Sequence, residues 1–186
     1  MINYRRNLPH WFPDGVPIFI TWRLAGSLPV VARERLRETK KLSAGEAFRR
    51  DDADLDRAAS GPLWLKHSEI AGSVEEAFHA EQKKGQFDLH AYVVMSNHVH
   101  LLVTPRSEVQ KITRALKGVT ARRANSILGR AGRPFWQQES FDHWVRNEGQ
   151  FVGTKSYIEN NPVKAGLVAR PEDWPWSSAS KGVGKN

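Results

Sequence analysis

The residues best placed to do chemistry are His98 and His100, which flank Val99 inside the run Met95-Ser96-Asn97-His98-Val99-His100-Leu101-Leu102-Val103. The apolar residues around them read as a buried β-strand. Side chains alternate faces along a strand, so the two imidazoles point the same way and Val99 points into the opposite layer. Two residues of strand rise set their Cα atoms about 6.5–7 Å apart, a spacing at which both rings can converge on one divalent metal. Burying imidazoles without partners costs free energy, so a rigid polar pair on an apolar strand needs a compensating contact. Two ligands are too few for a tight site, and a third should come from elsewhere in the chain. With seven histidines in the chain, a His-x-His that only packs is the plain alternative.

A second cluster lies in Lys155-Ser156-Tyr157-Ile158-Glu159-Asn160-Asn161-Pro162-Val163-Lys164-Ala165-Gly166. Tyr157 and Asn161 are four residues apart and share one face of a helix. Asn161 falls at the expected helix end, where its carboxamide oxygen can turn toward a metal. Of the three tyrosines, Tyr4 is near the start of the chain and Tyr92 is mid-strand. Tyr157 is therefore the one on a helix that could lie across a sheet site. A packing tyrosine followed by a plain helix stop is the competing reading.

These residues need elements to hold them. Pro17 to Leu24 reads as a first strand, closed by Gly26-Ser27-Leu28-Pro29. Val30 to Lys41 reads as a basic amphipathic helix. Residues 43–68 form a charged, irregular insert with room for one short helix near 50–59, around Asp51-Asp52-Ala53-Asp54-Leu55-Asp56. Ser73 is expected to cap a helix that ends at Lys83-Lys84-Gly85. Phe87–Met95 and His98–Thr104 read as a hairpin about Ser96-Asn97. A helix follows from about Glu108 to Leu128, then one or two short strands in 135–146. A last helix is expected from a cap at Asn147 to about Asn160, ending near Pro162. The order suits one α+β domain over 1–186, a ferredoxin-like antiparallel sheet with helices packed on one face, and a tail over 168–186.

Composition narrows the partners. The 186 residues carry 28 Lys and Arg against 20 Asp and Glu, a net charge of +8, which points to a polyanion such as nucleic acid. The helix bearing Lys111, Arg114, Lys117, Arg122 and Arg123 is a candidate phosphate track. Seven tryptophans are many for a core of this size, and Trp136, Trp144, Trp174 and Trp176 are candidates to stack unpaired bases. The absence of cysteine excludes disulfides and thiolate metal sites. No apolar run approaches a membrane span, and Met1-Ile2-Asn3-Tyr4-Arg5-Arg6 lacks the apolar stretch of a secretory leader. A cytoplasmic, nucleoid-associated protein is expected, as monomer or homodimer.

His98-Val99-His100 followed by Leu101-Leu102-Val103 resembles the HUH motif of single-tyrosine transposases, and Tyr157 to Gly166 resembles the nucleophile helix of their REP-associated branch. Ala91-Tyr92-Val93-Val94-Met95-Ser96-Asn97, Phe135-Trp136-Gln137-Gln138-Glu139-Ser140-Phe141-Asp142 and Trp174-Pro175-Trp176-Ser177-Ser178 fit the same pattern. The resemblance implies a ferredoxin-like HUH nuclease fold acting on single-stranded or hairpin DNA. It implies His98, His100 and Asn161 as ligands of Mg²⁺ or Mn²⁺, and Tyr157 as the nucleophile that forms a 5′-phosphotyrosine. Lys155 is a candidate to aid deprotonation of Tyr157. Two other readings stay open at this point. One is a hairpin-DNA or RNA binding module without cleavage. The other is a metal-dependent phosphoesterase with water as nucleophile, which would not need Tyr157.

Overall fold

Strand β1 (Ile18–Arg23) lies at the centre of a four-stranded sheet with β2 (Phe87–Val94), β3 (His98–Pro105) and β4 (Phe141–Trp144). The spatial order is β2-β3-β1-β4 and every pairing is antiparallel. Against the sheet pack the helices α1 (Ser68–Lys83), α2 (Val109–Ile127) and α3 (Glu148–Lys164). The computed structural model describes residues 15–28, 52–57 and 61–180. The helix expected over Val30–Lys41 lies outside these residues. Of the insert, residues 52–56 are helical and Trp64–Lys66 form a single 3₁₀ turn.

Alternation along the strands sorts two cores. Ile18, Ile20 and Trp22 of β1 join Val99, Leu101 and Val103 of β3 on one face, where Ile70, Val74 and Phe78 of α1 and Ile112 and Leu116 of α2 cover them. Phe19, Leu102, Ala91, Val93 and Met95 lie on the other face, and Ile158 of α3 covers that one. Two helices thus pack on one face as expected, while α3 crosses the opposite face. His98 pairs with Arg23, and His100 with Thr21 and Val93. Directly paired residues share a face, so both imidazoles lie on the α3 side, over β1 and β3.

Local signals set most boundaries. Asn147 caps α3, its side chain accepting from Gln150 N at 2.9 Å. Gly85 ends α1 with a φ of 73°, a conformation that glycine adopts without penalty. Ser73 is not a cap: α1 begins at Ser68, and Ser73 sits inside it with its hydroxyl donating to the Ile70 carbonyl. Pro162 does not end α3 either. The helix continues to Lys164. A proline this close to the end removes one bond near the terminus, where few remain to lose, and Ala165 N still donates to Asn161 O at 2.9 Å.

The tail docks on the free edge of β2. Val94 N donates to Trp176 O at 2.8 Å and Ser178 N to Tyr92 O at 3.0 Å, which covers backbone that would otherwise stand open. Among the described residues, no helix is long and apolar enough to cross a membrane.

Candidate active site

The hairpin turn and β1 orient the histidine pair. Asn97 Nδ2 donates to the Leu55 carbonyl at 3.0 Å, which turns its Oδ1 toward His98 Nδ1, 2.7 Å away. His98 Nδ1 must then carry the proton, leaving a lone pair on Nε2. Thr21 Oγ1 lies 2.7 Å from His100 Nδ1, and Phe19 stacks on the His100 ring at 5.5 Å. The two Nε2 atoms face one another at 3.1 Å. Both imidazoles are completely buried.

Helix α3 sets Tyr157 beside the pair, with its ring 5.7 Å from that of His100 and 6.1 Å from that of Phe19. Asn161, one turn further along the helix, is fully buried, and neither of its amide atoms has a hydrogen-bond partner among the described residues. The amino group beside Tyr157 is that of Lys164, 5.4 Å over the ring. Lys155 is exposed, and its charge acts on His90 instead.

The helical segment 52–56 adds residues that sequence reasoning missed. Asp52 is 1% exposed. Its Oδ1 lies 3.2 Å from His100 Nε2 and 3.8 Å from His98 Nε2, without a well-angled hydrogen bond to either. Its Oδ2 accepts the hydroxyl of Tyr157. Asp56 lies 3.8 Å from His98 Nε2 and pairs with Lys164 Nζ at 3.0 Å. A signal for this was present: Asp52 and Asp56 are an i, i+4 acidic pair in a strongly basic chain, with apolar Leu55 between them.

Burial governs the charges. It drives the His98 pKa down to about 3, helped by His100. Burial alone would raise the Asp52 carboxyl, but His100, then His98 and Lys164, outweigh it and hold the group below its ordinary value. Burial and the neighbouring Asp52 raise Asp56. The result is a neutral His98 imidazole beside an ionised Asp52 carboxylate.

This donor set fits a divalent cation. Cis ligands at about 2.1 Å from an octahedral ion stand about 3 Å apart, close to the 3.1 Å and 3.2 Å separations found here. Lone pairs that face each other at such distances repel unless a proton or a cation lies between them. The amide of Asn161, without a hydrogen-bond partner among the described residues, and Oδ1 of Asp52, facing both imidazoles, are further donors of the kind such an ion takes.

The expected DNA-contacting residues divide. Trp136 is 8% exposed, packs edge-on against Trp22 at 6.1 Å and donates Nε1 to Thr120 Oγ1 at 2.9 Å, which leaves little of its ring open to a base. Trp174 and Trp176 are half-buried, and Trp174 donates Nε1 to Val94 O at 3.0 Å. Lys117 ties α2 to the approach of β4, donating to Gln138 O at 2.9 Å. Lys111 and Arg123 make exposed pairs with Glu108 and Glu76, which hold them weakly. Arg114 and Arg122 are exposed. All five basic residues are on α2, across the sheet from the histidine pair.

Comparison with known proteins agrees with this geometry. The REP-associated tyrosine transposase of Escherichia coli is 25% identical over 99 residues, 53% of this chain and 58% of that protein. A putative REP-associated tyrosine transposase of Haemophilus influenzae is 38% identical over 48 residues, 26% of this chain and 27% of that protein. The match thus spans little more than half the length of the first relative and about a quarter of the second. The solved structure of a REP-associated tyrosine transposase bound to a REP hairpin superposes with a TM-score of 0.56 at 20% identity, covering 96% of this chain and 82% of that one. The fold is therefore shared. Residues 64–161 match the family model described as "Transposase IS200 like", a span that includes His98, His100, Tyr157 and Asn161. With more than half of its residues inside that match, the chain belongs to the IS200-like transposase family.

Proposed function

We propose that this protein cleaves and rejoins hairpin-bearing single-stranded DNA in the cytoplasm by a metal-dependent tyrosine mechanism. The observation that carries the reading is the meeting of Tyr157 with His98 and His100 on one face of the sheet. Hairpin DNA is the substrate class suggested by the structural relative, which is described as bound to a REP hairpin.

His98, His100 and Asn161 would hold Mg²⁺ or Mn²⁺, which at this position offsets the negative charge of a phosphodiester oxygen and polarises the phosphorus. Asn97 and Thr21 lock the imidazoles. Tyr157 attacks the phosphorus, so an O–P bond forms to the phenol and the bond to the 3′-oxygen breaks. The 3′-oxygen leaves as a hydroxyl, with the proton lost by the tyrosine balancing the one it gains. The phosphotyrosine keeps the energy of the cleaved bond, so a second 3′-hydroxyl can reverse the step and join a new strand. The phenol supports this reading over attack by water, because a water mechanism would not need Tyr157 at the histidine pair.

A denaturing gel tests this. Protein incubated with Mn²⁺ and a 5′-labelled or 3′-labelled hairpin oligonucleotide should carry the 3′-labelled fragment as a covalent adduct. Cleavage without any adduct would overturn the tyrosine mechanism.

A further inference from the structure

We propose that Asp52, which lies outside the family-matched residues 64–161, is a direct ligand of the divalent cation. The inference rests on the metal site of the preceding reading and adds a donor to it.

The geometry of the carboxylate is the argument. One oxygen is committed: Oδ2 accepts the Tyr157 hydroxyl. The other is directed to the space between the imidazoles, 3.2 Å from His100 Nε2 and 3.8 Å from His98 Nε2. An ionised carboxylate on a residue only 1% exposed is costly to bury. A cation held with the two Nε2 atoms removes the cost of all three groups together. Among the described residues, Asp52, His98 and His100 form the one His/carboxylate group compact enough to hold an ion.

The surroundings agree. Segment 52–56 is anchored at both sides of the site, by Lys164 on Asp56 at 3.0 Å and by Asn97 on the Leu55 carbonyl. Asn97 also fixes His98, so one amide links the segment to a ligand. A cavity of about 230 Å³ lies beside His98, lined in part by Asp56, Lys66, Asn97 and Ala165. Six-coordinate Mg²⁺ or Mn²⁺ would still leave positions for substrate beyond His98, His100, Asn161 and Asp52. A hard carboxylate also favours these ions over softer-ligand metals.

Two measurements on the full chain test it, neither of them activity. Titration calorimetry with Mn²⁺ should show one site in the wild type. Binding should be lost in His98→Ala, weakened at least about tenfold in Asp52→Asn, and unchanged in Asp54→Asn, whose carboxylate pairs with Arg57 instead. Hydrogen exchange of wild-type residues 52–57 should slow on adding Mg²⁺, because a ligand bond ties the segment down. This second measurement decides the matter if Asp52→Asn does not fold. Wild-type affinity in Asp52→Asn, or exchange over 52–57 that ignores the metal, would overturn the role of Asp52 alone. No Mn²⁺ binding by wild type, or full binding by His98→Ala, would overturn the metal site itself.

Discussion

Tyr157 and Asp52 are separated by 105 residues and meet in one hydrogen bond, donated by the tyrosine hydroxyl to Oδ2 of the carboxylate. The bond joins the nucleophile candidate on α3 to a segment from the charged insert. It also places the hydroxyl on the carboxylate whose other oxygen faces both histidines. The candidate nucleophile and the candidate metal donors are therefore registered against each other by side-chain contacts.

Replacing Tyr157 by Phe keeps the ring and its packing against Phe19. Adduct formation and cleavage should fall below detection, while hairpin binding by gel shift stays within about twofold. The lost hydrogen bond should change unfolding free energy by no more than about 1–3 kcal/mol. Undiminished cleavage by Tyr157→Phe would remove the tyrosine from the mechanism.

Chelation should silence the wild type reversibly. EDTA is expected to stop cleavage, and excess Mg²⁺ or Mn²⁺ to restore it. His98→Ala and His100→Ala should be inactive at every metal concentration, since each removes a buried imidazole lone pair. Continued turnover in chelator at the full rate contradicts the site.

The depressed pKa of His98 makes metal-free stability depend on pH. The unfolded imidazole titrates near 6.5, and the folded one near 3. Between those values the unfolded state binds more protons, so stability falls as pH falls. From pH 7 to pH 5 the loss from this residue is about 2 kcal/mol, and the downward shifts of His90 and His143 act in the same direction. Urea unfolding in EDTA at the two pH values measures it. A flat profile would mean that His98 is not buried as a neutral ring.

Trp136 should behave as core. Trp136→Ala is expected to cost about 3–5 kcal/mol of stability, seen as a lower urea midpoint. The folded fraction should bind hairpin DNA with unchanged affinity. A stable variant with weakened DNA binding would return Trp136 to the DNA interface.

The exposed residues of α2 can be tested by salt. Replacing Lys111, Arg114 and Arg122 together, and sparing Lys117 for its hydrogen bonds near β4, should flatten the log–log salt dependence of hairpin affinity. The slope should fall by about 0.7–0.9 for each DNA phosphate these side chains neutralise. An unchanged slope would place the phosphate path elsewhere.

Much of the site was legible without a structure because its signals are periodic. A two-residue repeat on a strand determines that His98 and His100 share a face and that Val99 does not. A four-residue step puts Tyr157 and Asn161 on one side of a helix, and Asn147 marks its start by local capping chemistry. Those properties depend on neighbours within a few residues. Tertiary structure alone decided that α3 crosses the face opposite α1 and α2, that Lys164 rather than Lys155 stands over Tyr157, and that Trp136 is buried. It also decided that Asp52 meets the histidines. Each of these depends on contacts between segments far apart in the chain, where composition and spacing set no register. Aspartates read from sequence as part of a charged, irregular insert became buried partners because the sheet, the hairpin turn and α3 converge on the space they occupy.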